Sequence, residues 1–154
     1  MRRVVVTGLG CISPIGNTVD EAWNNAINGK HGISHISKFD ASNMKVKIAA
    51  EVKSFDASLY MERSDIRKTD LYAQYAIAAA VQAMEDSNIN DFVDHERLGV
   101  YIGSGIGGIS TFITETDKML NKGPDRISPF FVPMIISNMA SALVAIKYQA
   151  LGVT

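Results

Sequence analysis

A single cysteine, Cys11, stands in 154 residues, which excludes an internal disulfide framework and a zinc site built on several thiolates. That scarcity fits a reducing compartment, and cytoplasm is the expected location. Net charge is equally scarce: fifteen Lys and Arg against sixteen Asp and Glu leave −1 at pH 7. No global field therefore draws the chain to nucleic acid or to an anionic membrane, and any basic contact surface must be local. Three histidines are too few and too scattered for a metal centre. His31 and His35 flank Gly32 and Ser34 in a segment without helical pattern, and His95, between Asp94 and Glu96, reads as a solvated turn residue. No metal and no cofactor are expected. Only three valines follow the basic start Met1-Arg-Arg, too short a run for a signal peptide. Residues 127–146 carry no charge over roughly the ~20 residues of a membrane span. Pro129, Pro133, Ser128, Ser137, Asn138 and Ser141 would all need partners in hydrocarbon, so the expectation is a helix buried in protein and no membrane span.

What is abundant is apolar character, 47% of residues, enough for one cored unit over 1–154 and short for two. Residues 3–7 are β-branched and read as a buried strand ending in the turn Gly8-Leu-Gly10. Thr18-Val-Asp-Glu21 has capping-box spacing, and Gly29 marks a stop, so a helix is predicted over 19–28. Residues 30–60 are loop-rich, with Lys45-Val-Lys-Ile-Ala-Ala-Glu-Val52 the one credible strand, a half-buried edge. An alanine-dense helix runs from Asp70 to Ser87, where Tyr72, Tyr75, Ala76, Ala79 and Ala83 share much of one face and imply close packing. Residues 97–104 read as a second strand covered on both faces. A helix follows Gly108 and ends before Gly123-Pro124, and a last one runs from Pro133 to Gly152. Strands alternating with helices define an α/β layer fold.

Gly103-x-Gly105-x-x-Gly108 matches the dinucleotide fingerprint between a strand and a helix. The ribose-binding acid due about 20 residues on falls near Asp125, inside the loop signature Gly123-Pro-Asp-Arg126. Gly8-Leu-Gly10 is a weaker match. Glycines serving tight turns and close backbone approach explain both runs better than a nucleotide does. Cys11 as a nucleophile would need a neighbouring base or an electropositive setting, which nothing near it in sequence supplies, so it reads as a small buried residue. Arg63, Arg67 and Lys68 form a basic cluster interrupted by Asp65. By itself it reads as a solvated helix entrance; with Arg126 it makes a local patch suited to an acidic partner.

Taken together, Arg2-Arg-Val-Val-Val-Thr-Gly-Leu-Gly10, Ser13-Pro-Ile-Gly-Asn17, Tyr101-Ile-Gly-Ser-Gly-Ile-Gly-Gly108 and Ile127-Ser-Pro-Phe-Phe-Val-Pro133 resemble the N-terminal portion of the β-ketoacyl-[acyl-carrier-protein] synthase II family, elongating condensing enzymes of bacterial fatty-acid synthesis. The resemblance runs from end to end of the chain. It implies a thiolase-like fold, two similar halves packed as αβαβα layers, of which residues 1–154 would supply most of the N-terminal half as an incomplete domain. It also implies a homodimer, and a decarboxylating condensation in which a cysteine takes the acyl group and two histidines polarise the malonyl thioester. No catalytic residue of that set matches a position here, so the chain alone is expected to be inactive.

The resemblance also assigns binding roles. Ile106 matches a residue lining the acyl-chain pocket and Phe131 an aromatic given to that pocket across the dimer, where burial of an alkyl chain is worth roughly 0.8 kcal/mol per methylene. Arg67, Lys68 and Arg126 match basic residues that face acidic acyl carrier protein in its acyl and malonyl forms. Ser64 and Asp125 stand where the family often has positive charge, which weakens that surface. Two other readings stay open at this point: a non-catalytic assembly or binding module, like the cysteine-less partner subunits of polyketide synthesis, and the disfavoured dinucleotide-binding domain.

Overall fold

Six helices and one small hairpin make up the computed structural model, which describes residues 3–154. Met1, and Arg2 with which the first motif opens, lie outside the described residues. Helix α1 spans Val19–Ile27. Thr18 Oγ1 accepts the N–H of Glu21 at 3.2 Å, and the Glu21 carboxylate reaches back to the N–H of Asn17 at 2.7 Å, a capping box displaced by one residue. Strands β1 (Ile33–His35) and β2 (Ile48–Ala50) pair antiparallel with Ile33 opposite Ala50 and His35 opposite Ile48. Glu51 follows β2, and its carboxylate accepts from Ser37 Oγ at 2.7 Å and from the N–H groups of Ser37 and Lys38. Those bonds tie the start of the loop after β1 to the residue after β2 and hold the Glu51 carboxyl below the ordinary glutamate range.

Helix α2 is one turn, Arg63–Ile66, and leads into the long helix α3, Leu71–Ser87. Asp70 caps α3, and Asn88 ends it in the left-handed region at φ 50°. Helix α4 is Ile109–Lys122, α5 is Phe131–Ile135 and α6 is Met139–Lys147. The core lies where α3 meets α6: Ala73, Ile77 and Ala78 on one side, Ala140, Val144 and Ala145 on the other, all buried. Small side chains dominate because backbones come close on both faces of α3. On its other face, a Cβ on Gly10 would stand 1.9 Å from the Ala79 carbonyl oxygen, and one on Gly8 would stand 2.2 Å from that of Ala83. The glycines of the first turn and the alanines of α3 are complementary halves of one contact.

Two expected strands are not formed. Residues 3–7 have β propensity, but among the described residues they have no ladder partner, and Val4 is 92% exposed. Over 97–104, a 3₁₀ turn at His95–Arg97 takes the start. Only two bonds follow, Gly152 N–H to the Leu98 carbonyl at 3.0 Å and Val100 N–H to the Val153 carbonyl at 3.0 Å. Tyr101 then stands 78% exposed, so the expected cover on both faces is absent here. A strand is a property of its neighbours as much as of its own residues. The last helix is also shorter than expected. It is broken at Ile136, whose extended backbone separates α5 from α6, and no described helix is long and apolar enough to cross a membrane.

Candidate functional site

The break at Ile136 is where the glycine run docks. Gly107 donates its N–H to Ser104 Oγ at 3.0 Å and takes φ +78°, a conformation that favours glycine. The next N–H, that of Gly108, donates to the Ile135 carbonyl at 3.2 Å. A Cβ on Gly107 would lie 2.2 Å from the Ile135 oxygen, and one on Gly108 2.1 Å from the Met134 oxygen. Those two glycines thus seat the loop on the α5–α6 junction, whereas Gly103 and Gly105 face open space. Ile106, between them, is held out from the loop at 72% exposure.

Three side chains to which sequence assigns no role at the site hold this junction. Asp70, buried at the start of α3, accepts the N–H of Thr111 in the first turn of α4 at 2.8 Å through its second carboxylate oxygen. Tyr72 donates its hydroxyl to the Ile136 carbonyl. Burial first, and then the Asp70 charge, push the Tyr72 phenol above its usual range and keep it a neutral donor. Glu115, buried on α4, accepts from Lys118 and takes the N–H of Ser128 at 2.8 Å. The Lys118 hydrogen bond and then the Ser128 N–H hold its carboxyl below the glutamate range. Phe131 is half-buried, its ring 6.1 Å from that of Phe112 on α4. The segments carrying Ile106 and Phe131 are therefore locked together through backbone and α4.

Arg67 ends α2, Lys68 follows it, and Arg126 ends a 3₁₀ turn at Pro124–Arg126 packed on α4. All three are exposed. Among the described residues the one ion pair is Glu115 with Lys118, so none of the three cations is neutralised by a carboxylate at contact distance. Lys68 Nζ lies 5.6 Å from the ring centre of Phe130, a cation–π contact that joins the turn after α2 to the segment after Arg126. Beside it opens a groove of about 630 Å³ lined by Lys68, Phe130, Met134, Met139, Leu143 and Tyr60. No periodic signal marks that groove in the sequence, because its walls come from four separate segments.

The alternative chemistries fare differently. A pyrophosphate at the start of α4 would meet the Asp70 carboxylate already bound to the Thr111 N–H; of the fingerprint glycines Gly108 serves close packing, while Gly103 and Gly105 meet nothing within 4 Å. Cys11 is half-buried and lines an apolar hollow with Pro14, Ile15, Val19, Ala22 and Trp23, none of them a base. Its backbone N–H is held by Gln82 Oε1 at 3.1 Å. His35 lies in β1, and His95 is exposed, with Nδ1 3.1 Å from the Tyr148 carbonyl. Among the described residues no cluster of His, Cys, Asp and Glu could hold a metal ion.

The fold that carries this loop is the thiolase-like fold of solved ketosynthases. The solved "ishigamide ketosynthase/chain length factor" superposes over 99% of this chain and 40% of its own with a TM-score of 0.81 at 27% identity. A type II polyketide ketosynthase solved in complex with its acyl-carrier protein matches over 96% of this chain and 39% of its own, TM-score 0.78, at 24% identity. The chain belongs to the β-ketoacyl synthase family: the family's N-terminal domain, "Beta-ketoacyl synthase, N-terminal domain", matches residues 1–154. Two curated relatives carry the name 3-oxoacyl-[acyl-carrier-protein] synthase 2. That of Coxiella burnetii is 48% identical over 152 residues, and that of Vibrio cholerae 47% over 148. These stretches are 98% and 94% of this chain but 37% and 35% of the relatives, so the chain spans little more than a third of their length.

Proposed function

We propose that residues 1–154 act as the N-terminal part of an elongating 3-oxoacyl-[acyl-carrier-protein] synthase, supplying the acyl-pocket loop and part of the carrier-docking surface but not the catalyst. The observation that carries this reading is the seating of the Ile106 loop on the junction that follows Phe131, through Gly107 and Gly108. Ile106 and Phe131 present apolar surface for an alkyl chain, and Arg67, Lys68 and Arg126 present charge to an acidic carrier. In the complete enzyme, taken as a cytoplasmic homodimer, a cysteine thiolate outside these residues accepts the acyl group from its carrier thioester. Malonyl carrier then loses carbon dioxide, and the enolate so formed attacks the acyl thioester, releasing the thiolate and the 3-oxoacyl product. Two histidines and backbone amides, also outside these residues, stabilise the developing negative charge. Residues 1–154 are on this account an incomplete domain, inactive alone.

The test is a hybrid in which this chain replaces the matching 152 residues of the Coxiella burnetii synthase. The expected result is 3-oxoacyl product from acyl and malonyl carrier protein. A folded hybrid that makes none would overturn the reading. The assembly-module reading has no observation of its own in its favour.

A further inference from the structure

We propose that Asp70 is a positioning residue that fixes the acyl-pocket loop relative to the carrier-facing turn, and thereby sets discrimination between acyl chains of different length. The inference rests on the ketosynthase reading above. It begins with the turn that bears Arg67 and Lys68. Thr69 Oγ1 donates to the Asp65 carbonyl at 2.9 Å, and Gln74 Nε2 donates to the carbonyls of Thr69 at 3.0 Å and Ile66 at 3.2 Å. Thr69 and Gln74 are both buried. The two cations thus project from a turn whose backbone is pinned to α3.

Asp70 is the next residue, 6% exposed, and its carboxylate faces two ways. One oxygen caps α3 at the Tyr72 N–H, 3.4 Å away, and the other takes the Thr111 N–H at 2.8 Å. Thr111 lies five residues after Ile106. A Cβ on Gly108 would stand 3.0 Å from the Cβ of Asp70, so the loop lies too close to the turn for any side chain at that position. Tyr72, two residues on, holds the far side of the same junction through the Ile136 carbonyl. A carboxylate suits this place because it offers acceptor oxygens in two directions, where a short hydroxyl side chain serves one. The Ile106 loop therefore has its position set from the turn that meets the carrier. Pocket depth is sensitive to that position, since one buried methylene changes affinity about fourfold.

The test uses the hybrid synthase with Asp70→Ser and Asp70→Asn. Serine keeps a good cap for α3 but is too short to reach Thr111; asparagine keeps the size but offers one acceptor oxygen in place of two. The reading is kcat/KM for carriers loaded with a short and with a long saturated acyl chain, together with the Kd for the carrier itself. With Asp70→Ser the long-to-short ratio is expected to change by about tenfold, with a smaller change for Asp70→Asn, while carrier Kd stays within about twofold. Loss of folded protein alone lowers both kcat/KM values by one factor and leaves their ratio fixed. An unmoved ratio in either soluble variant of an active hybrid overturns this inference and leaves the ketosynthase reading standing. A hybrid inactive with native Asp70 overturns both.

Discussion

The carboxylate of Glu115 accepts the backbone N–H of Ser128 at 2.8 Å, and that bond fixes where the segment carrying Phe131 sits beside α4. Lys118 shares the carboxylate, so a buried charge is both paired and hydrogen-bonded. Removing it with Glu115→Ala leaves the Ser128 N–H without its acceptor, and a loss of about 1–3 kcal/mol is expected from the urea midpoint of the hybrid synthase. Glu115→Gln should cost less. The carboxyl is held below its ordinary value near 4.5, so its contribution is fully present above that value and is lost as pH falls through the lower, folded value. The gap between native and Glu115→Gln midpoints should close on acidification; a gap independent of pH would contradict the assignment.

Gly108→Ala and Gly103→Ala make a matched pair on one loop. The first drives a methyl to 2.1 Å from the Met134 oxygen, a backbone atom that must move, while the second meets nothing within 4 Å. Overpacking of this kind costs about 1–3 kcal/mol or more, so Gly108→Ala should lower the melting temperature clearly. Gly103→Ala should leave it nearly unchanged. Equal effects would show that the loop is not seated on the α5–α6 junction.

Charge reversal at the patch tests the docking role. Arg67→Glu and Lys68→Glu should each weaken binding of acidic carrier protein to the hybrid by several-fold at low salt, the loss shrinking as ionic strength rises. Lys68→Glu also gives up the contact with Phe130, so its effect should be the larger. Binding measured by surface plasmon resonance that is indifferent to both changes would return the patch to an ordinary solvated helix entrance.

How much of this could be read beforehand divides by the range of the interaction. Helices α1, α3 and α4 rest on local signals, Thr18 with Glu21, Asp70 ahead of the alanine run, and Gly123-Pro124 after Lys122, so sequence placed them within a residue or two. The strand at 3–7 is expected from β-branched composition and that at 97–104 from apolar character, and both fail for want of neighbours. The break at Ile136 was missed because it answers to Gly107 and Gly108, some thirty residues earlier in the chain. Ile106 and Phe131 came from family resemblance, which periodicity could not have supplied, whereas Arg67, Lys68 and Arg126 were legible as a local basic patch and took only their carrier role from the resemblance. Asp70 carried a visible sign as a helix cap, but its second bond, to Thr111 across 41 residues, has no local signature.

The same missing neighbours predict the behaviour of the 154-residue chain on its own. Val4, Tyr101, Leu120 and Val153 are each more than two-thirds exposed, a large share of apolar side chain left in water. Sedimentation velocity should show self-association at micromolar concentration. A stable monomer with a sharp cooperative unfolding transition would contradict this.

On the proposed function, these residues position an acyl chain and a carrier while the covalent chemistry happens elsewhere. Peptide mapping by mass spectrometry after the hybrid is loaded from acyl carrier protein, with malonyl carrier withheld, tests it most directly. One acyl thioester is expected, on a cysteine outside residues 1–154, with Cys11 unmodified. An acyl group on Cys11, or folded hybrid that binds acyl carrier yet forms no acyl-enzyme, would contradict it.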